Sequence, residues 1–87
     1  MRILVIEDEP QLARHVASAL TRAGHSPTVQ HDGLSGLRAC LEETPDLVVL
    51  DLNLPGLDGL TVLSRLREAN SSARVLSLFV PLIFGDQ

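Results

Sequence analysis

Leu47-Val48-Val49-Leu50-Asp51 decides the reading of the chain, because four consecutive apolar residues run directly into an acid. A strand with one wet face alternates apolar and polar residues. A run without alternation is buried on both faces, as in a parallel sheet covered by helices on both sides. The same arrangement stands near the start, where Ile3-Leu4-Val5-Ile6 leads into Glu7-Asp8-Glu9. Two doubly buried strands that both finish on acids are the informative coincidence of this sequence.

Working outward from these runs, helical signals fill the spaces between strands. Pro10 suits a first helical turn, Leu12, Val16 and Leu20 recur at four-residue spacing with Ala13 and Ala17 beside them, and Gly24 stops that helix. His25 to His31 reads as a weaker strand; Pro27 inside it cannot donate to a ladder, which places the strand at a sheet edge. Asp32-Gly33 starts a second helix with an apolar stripe of Leu34, Leu37 and Leu41, ended by Thr44-Pro45 because a residue before proline avoids the helical region. Pro55-Gly56 marks a turn. Leu60, Leu63 and Leu66 with Val62 describe a third helix that fades at Asn70-Ser71-Ser72, and Val75 to Val80 reads as a fourth strand. The order β-α-β-α-β-α-β predicts an α/β fold, a doubly wound parallel sheet with right-handed crossovers. In such sheets chemistry sits at the carboxyl ends of the strands, near the point where strand order reverses. Glu7, Asp8 and Asp51 all occupy carboxyl ends.

Composition narrows the class. The 87 residues support one domain, and 45% hydrophobic with 21% charged residues is the profile of a folded protein. Phe79 and Phe84 are the only aromatics of the Phe, Tyr and Trp type, so the core is built from Leu, Val, Ile and Ala. Seven basic against eleven acidic residues give a net charge of −4 with no basic patch, which argues against nucleic-acid binding by this chain itself. A single cysteine, Cys40, allows no internal disulfide and fits a reducing, cytoplasmic setting. The apolar run in MRILVIEDEP is too short for a signal sequence or a membrane span, so a soluble protein with no membrane partner is expected.

Three carboxylates brought into one small pocket repel strongly unless a cation neutralises them. Oxygen ligands with room for water suit Mg²⁺. A carboxylate beside such an ion can attack a phosphoryl group while the ion offsets charge on the equatorial oxygens, and Asp51, alone at its strand end, is the better nucleophile. The plainer alternative makes Glu7, Asp8 and Glu9 an acidic first helical turn and Asp51 a loop cap. Acids at two strand ends together favour the site.

Val5-Ile6-Glu7-Asp8-Glu9-Pro10, the Asp32-Gly33 pair, and the stretch from Asp46 through Asp51 and Pro55-Gly56 to Asp58-Gly59 resemble the receiver domains of two-component response regulators. The likeness is greatest to receivers followed by a winged-helix DNA-binding domain, and it covers residues 1 to about 78 in order and spacing. It implies a flavodoxin-like receiver fold in a phosphorelay signalling module rather than an enzyme. By resemblance, Asp51 is similar to the aspartate phosphorylated by a sensor histidine kinase. Glu7 and Asp8 match the acidic pair at Mg²⁺, with Asp51 itself a ligand, and Asn53 matches the residue whose backbone carbonyl completes the coordination. Pro55-Gly56 and Asp58-Gly59 resemble the loop that shapes the site and opens the next helix.

The chain departs from the family in places. The fourth strand of a receiver ends in a Thr or Ser that bonds the phosphoryl group, but Phe79 stands there, followed by Val80-Pro81. The family's Lys at the end of a fifth strand has no counterpart, since the chain contains no Lys. Metal binding is therefore expected to survive better than phosphoryl transfer and its coupling to a conformational change. The expected organisation is a receiver truncated after the fourth strand, residues 1–80, followed by an atypical apolar tail, residues 81–87. An open fourth strand and an uncovered sheet face predict a homodimer, the alternative being a tail folded back on its own sheet. A truncated receiver acting only through self-association or competition for partners is the rival function. An aspartate-nucleophile phosphatase is disfavoured, because Asn53 stands where those enzymes resemble a second Asp. His15, His25 and His31 match no ligand spacing and are read as exposed, without a role. Arg65 and Arg67 read as a solvated helix face, and Gly33 and Gly36 as helix-start and packing residues, with no Gly-rich phosphate loop.

Overall fold

A computed structural model describes residues 1–51, 54, 57–69 and 72–77. Along the chain lie β1 (Arg2–Ile6), α1 (Pro10–Arg22), β2 (Ser26–Gln30), α2 (Gly33–Glu43), β3 (Leu47–Leu50), α3 (Gly59–Glu68) and β4 (Arg74–Ser77). The strands form one sheet in the order β2-β1-β3-β4, every neighbouring pair parallel. The doubly wound sheet expected from the unbroken apolar runs is therefore present. Strand order reverses between β1 and β3, which pair in register from Ile3 opposite Leu47 to Ile6 opposite Leu50. Pro27 lies on β2, at the sheet edge.

Strand alternation divides the core into two layers. Ile3, Val5 and Val49 point to one face and pack with Val16 and Leu20 of α1. Leu4, Ile6, Val48 and Leu50 point to the other, against Leu37 and Cys40 of α2 and Val62 and Leu66 of α3. Both runs read as buried on two faces are buried apart from the half-buried Leu47 at the start of β3, with Leu4, Val5, Ile6, Val48 and Leu50 buried completely.

The helix termini follow from local chemistry. Asp32 caps α2 by accepting the Ser35 N–H at 2.8 Å, and Asp58 caps α3 by accepting the Thr61 N–H at 2.9 Å. Both carboxyls are held below the usual carboxylate range, chiefly by those backbone bonds. Gly24, at φ +92°, closes α1, with its N–H and that of His25 donating back to Thr21 and Leu20. Thr44 ends α2 in the left-handed region at φ 46°, just before Pro45.

The helical stripes require correction. Leu12 of α1 is exposed, and so are Leu34 (55%) and Leu41 (49%) of α2 and Leu60 (66%) of α3. On α2 the buried face is instead Gly33, Gly36, Leu37, Ala39 and Cys40. The reason is close approach: a Cβ on Gly36 would meet Ile6 Cδ1 at 2.5 Å, so small residues make the contact and the longer leucines flank it. β2 is shorter than expected, excluding both histidines, and β4 begins one residue earlier, at Arg74. The expected Pro55-Gly56 turn, Phe79, the end of the fourth strand and the 81–87 tail lie outside the described residues.

Candidate functional site

The last ladder positions of β1 and β3 set the site. Ile6 and Leu50 are opposite one another, and the next residue of β3's course, Asp51, continues the ladder by donating its N–H to the Ile6 carbonyl at 3.0 Å. On the other side of β1, the Glu7 N–H donates to the Gln30 carbonyl, also at 3.0 Å. Glu7 and Asp51 thus emerge side by side at the point where strand order reverses, where the crevice of such a sheet opens.

Carboxylate oxygens of Glu7, Asp8 and Asp51 lie within 4.8 Å of one another. Their environments differ. Glu7 is 3% exposed, Asp51 is half-buried, and Asp8 faces solvent. The Glu7 carboxylate accepts the Glu9 N–H at 2.9 Å. Burial pushes its pKa up to about 7, and the neighbouring Asp8 and Asp51 carboxyls push in the same direction against that backbone bond. Glu9 stands apart: its carboxylate accepts the Gln11 N–H at 3.0 Å and caps α1. Since α1 starts at Pro10 and its first turn contains no acid, the plainer alternative of an acidic helical turn does not describe Glu7 and Asp8.

The donor set consists of oxygen only, with one carboxyl held in the interior where it resists ionisation. A hard divalent cation with waters of its own fits such a set, since it offsets the repulsion that burial magnifies. Asn53, expected from resemblance to supply a carbonyl, lies outside the described residues. Leu54 is buried in the α2/α3 layer, and Asp58 opens α3 as expected.

One neighbour of the site carries no signal in the sequence. His31, read as exposed and without a role, is exposed, yet its Nδ1 lies 3.0 Å from the Glu7 carbonyl oxygen. Its position beside Asp32-Gly33, after a strand adjacent to β1, is the one hint available. His15 is exposed, while His25 is half-buried with Nδ1 3.0 Å from the Met1 amino group.

Residues 3–79 match the family model for the response regulator receiver domain. The chain belongs to the response regulator receiver family. It is 47% identical over 72 residues to the transcriptional activator protein IrlR of Burkholderia pseudomallei, covering 83% of this chain and 31% of that protein. It is 46% identical over 76 residues to the transcriptional regulatory protein YkoG of Bacillus subtilis, covering 87% and 33%. The receiver chain thus spans about a third of the length of these relatives. Among solved structures, the Francisella response regulator 1452 receiver domain superposes with a TM-score of 0.84 at 29% identity, covering 87% of this chain and 63% of that one. The Thermotoga maritima response regulator TrrA in complex with Mg²⁺-BeF gives 0.81 at 31% identity, covering 85% and 64%. Receivers are signalling modules of two-component systems, and the acidic cluster of this chain is consistent with the family's use of Mg²⁺. Among the described residues, no helix is long and apolar enough to cross a membrane.

Proposed function

We propose that this receiver accepts a phosphoryl group from a sensor histidine kinase on Asp51, with Mg²⁺ held by Glu7, Asp8, Asp51 and the Asn53 carbonyl. The observation that carries the reading is the convergence of three carboxylates, one of them buried, at the switch point of a receiver sheet. In the transfer the phosphorus–nitrogen bond of the donor histidine breaks as a bond forms between phosphorus and an Asp51 carboxylate oxygen. The ion supplies charge neutralisation for the phosphoryl oxygens. Glu7 and Asp8 hold it, and the ladder bond from the Asp51 N–H to Ile6 holds the acceptor's backbone in line.

This is a cytoplasmic module in which residues 1–80 act as the receiver and residues 81–87 as a separate tail. With Phe79 at the hydroxyl position, the phosphorylated state lacks one of its usual partners, so the module is impaired in retaining the signal. The test is Mg²⁺-dependent labelling by acetyl phosphate, read by intact mass with Asp51→Ala as control. An Asp51-dependent gain of one phosphoryl group is expected, and its absence in Mg²⁺ would defeat the reading. A receiver acting only by homodimerisation finds support in the exposure of Leu76 on β4. The two readings part at Asp51: a purely associating protein keeps its oligomeric state and its partners when Asp51→Asn is introduced.

A further inference from the structure

We propose that His31 is a positioning residue for the two acids of β1, acting on the peptide unit that joins them. This rests on the metal reading given above and adds a residue to it. The β1–β2 pairing ends with Ile6 opposite Gln30, so the Glu7 carbonyl is the first beyond the ladder. A carbonyl only accepts, so at 3.0 Å the His31 ring is the donor, in the tautomer that places hydrogen on Nδ1.

The oxygen that receives this bond belongs to the peptide plane between Glu7 and Asp8. Its direction fixes ψ of Glu7 and φ of Asp8 together, and with them the relative aim of two consecutive side chains that both belong to the carboxylate cluster. The other polar groups of Glu7 are already tied: its N–H to the Gln30 carbonyl and its carboxylate to the Glu9 N–H. The plane toward Asp8 is the one that the His31 side chain holds.

His31 is itself well held. The next residue, Asp32, caps α2 through both the N–H and the hydroxyl of Ser35, at 2.8 and 3.0 Å. Gly33 then lies against the main-chain carbonyl of Leu57, in the segment between β3 and α3. The short link from β2 to α2 therefore touches the end of β1 through His31 and the segment between β3 and α3 through Gly33. Partners that orient ligands from outside the coordination sphere commonly change metal affinity by about 10- to 100-fold. A bond to the main chain rather than to a ligand atom belongs at or below the lower end.

The test uses Mn²⁺ as a paramagnetic stand-in for Mg²⁺, with free ion read by electron paramagnetic resonance across wild type, His31→Phe and His31→Asn. Phenylalanine keeps a ring without a donor; asparagine places an N–H at the distance from the backbone that Nδ1 occupies. His31→Phe is expected to bind Mn²⁺ about 5- to 10-fold more weakly, and His31→Asn to stay within about twofold of wild type. Because the ring is exposed, neither change touches the core. Wild-type affinity in His31→Phe, or equal weakness in His31→Asn, overturns the proposal while leaving the metal reading in place. A wild-type chain that binds no Mn²⁺ removes both.

Discussion

A carboxyl as buried as that of Glu7, with two more beside it, keeps its proton up to about pH 7, and this gives the fold a definite pH dependence. Its folded pKa is raised above the ordinary 4.5, so the native state binds the proton more tightly than the unfolded chain. The resulting stability is fully present below about pH 4.5 and is lost as pH rises through about 7. In metal-free buffer the loss amounts to about 3 kcal/mol, measurable as a falling urea midpoint between those limits. Glu7→Gln should flatten this dependence. Mg²⁺ at pH 8 should restore the wild type and leave Glu7→Gln almost unmoved, since the ion does the neutralising that the proton does at low pH. Asp32 and Asp58 act in the opposite sense: their lowered pKa values contribute stability above the ordinary 3.8, which is lost as pH falls. Asp51→Asn removes one source of the repulsion on Glu7 and should stabilise the metal-free protein at pH 8 by about 1 kcal/mol, read in the same urea titration.

At the scale of elements, the contact between α2 and the sheet leaves little room. Gly36→Ala improves helix propensity by about 1 kcal/mol, but the new methyl meets three atoms of the fully buried Ile6 at 2.5 to 2.9 Å. Overpacking should win, with a net destabilisation of about 1 to 2 kcal/mol in urea unfolding at constant m-value. One turn further along the same face is Cys40, whose thiol burial pushes up to about 11, with Glu43 adding to the effect. Reaction of the folded protein with a thiol reagent at pH 8 should therefore be slow and should follow unfolding, becoming fast in urea. The leucine stripe read along this helix missed its true face for the same reason. Periodicity reports which residues are apolar, whereas the distance between helix and sheet decides whether glycine, alanine or leucine stands at the interface.

For the molecule as a whole, the parallel order, the strand positions and the acidic strand ends were legible from two unbroken apolar runs and their terminal acids. Burial on both faces forbids polar alternation, and the sheet's polarity then places every carboxyl end on one side. Leu47-Val48-Val49-Leu50-Asp51 and Ile3-Leu4-Val5-Ile6-Glu7-Asp8 thus determined, by themselves, the fold class and the three acids of the candidate site. Sequence alone did not order their environments. Only the tertiary structure buried Glu7 while leaving Asp8 in water, chose the small-residue face of α2, and brought the ring of His31, just past the neighbouring strand, to the Glu7 carbonyl. Patterns along a chain record what each element must bury. Which atoms then meet depends on how closely the elements approach and on which strand lies beside which, and those distances exist only once the sheet has assembled.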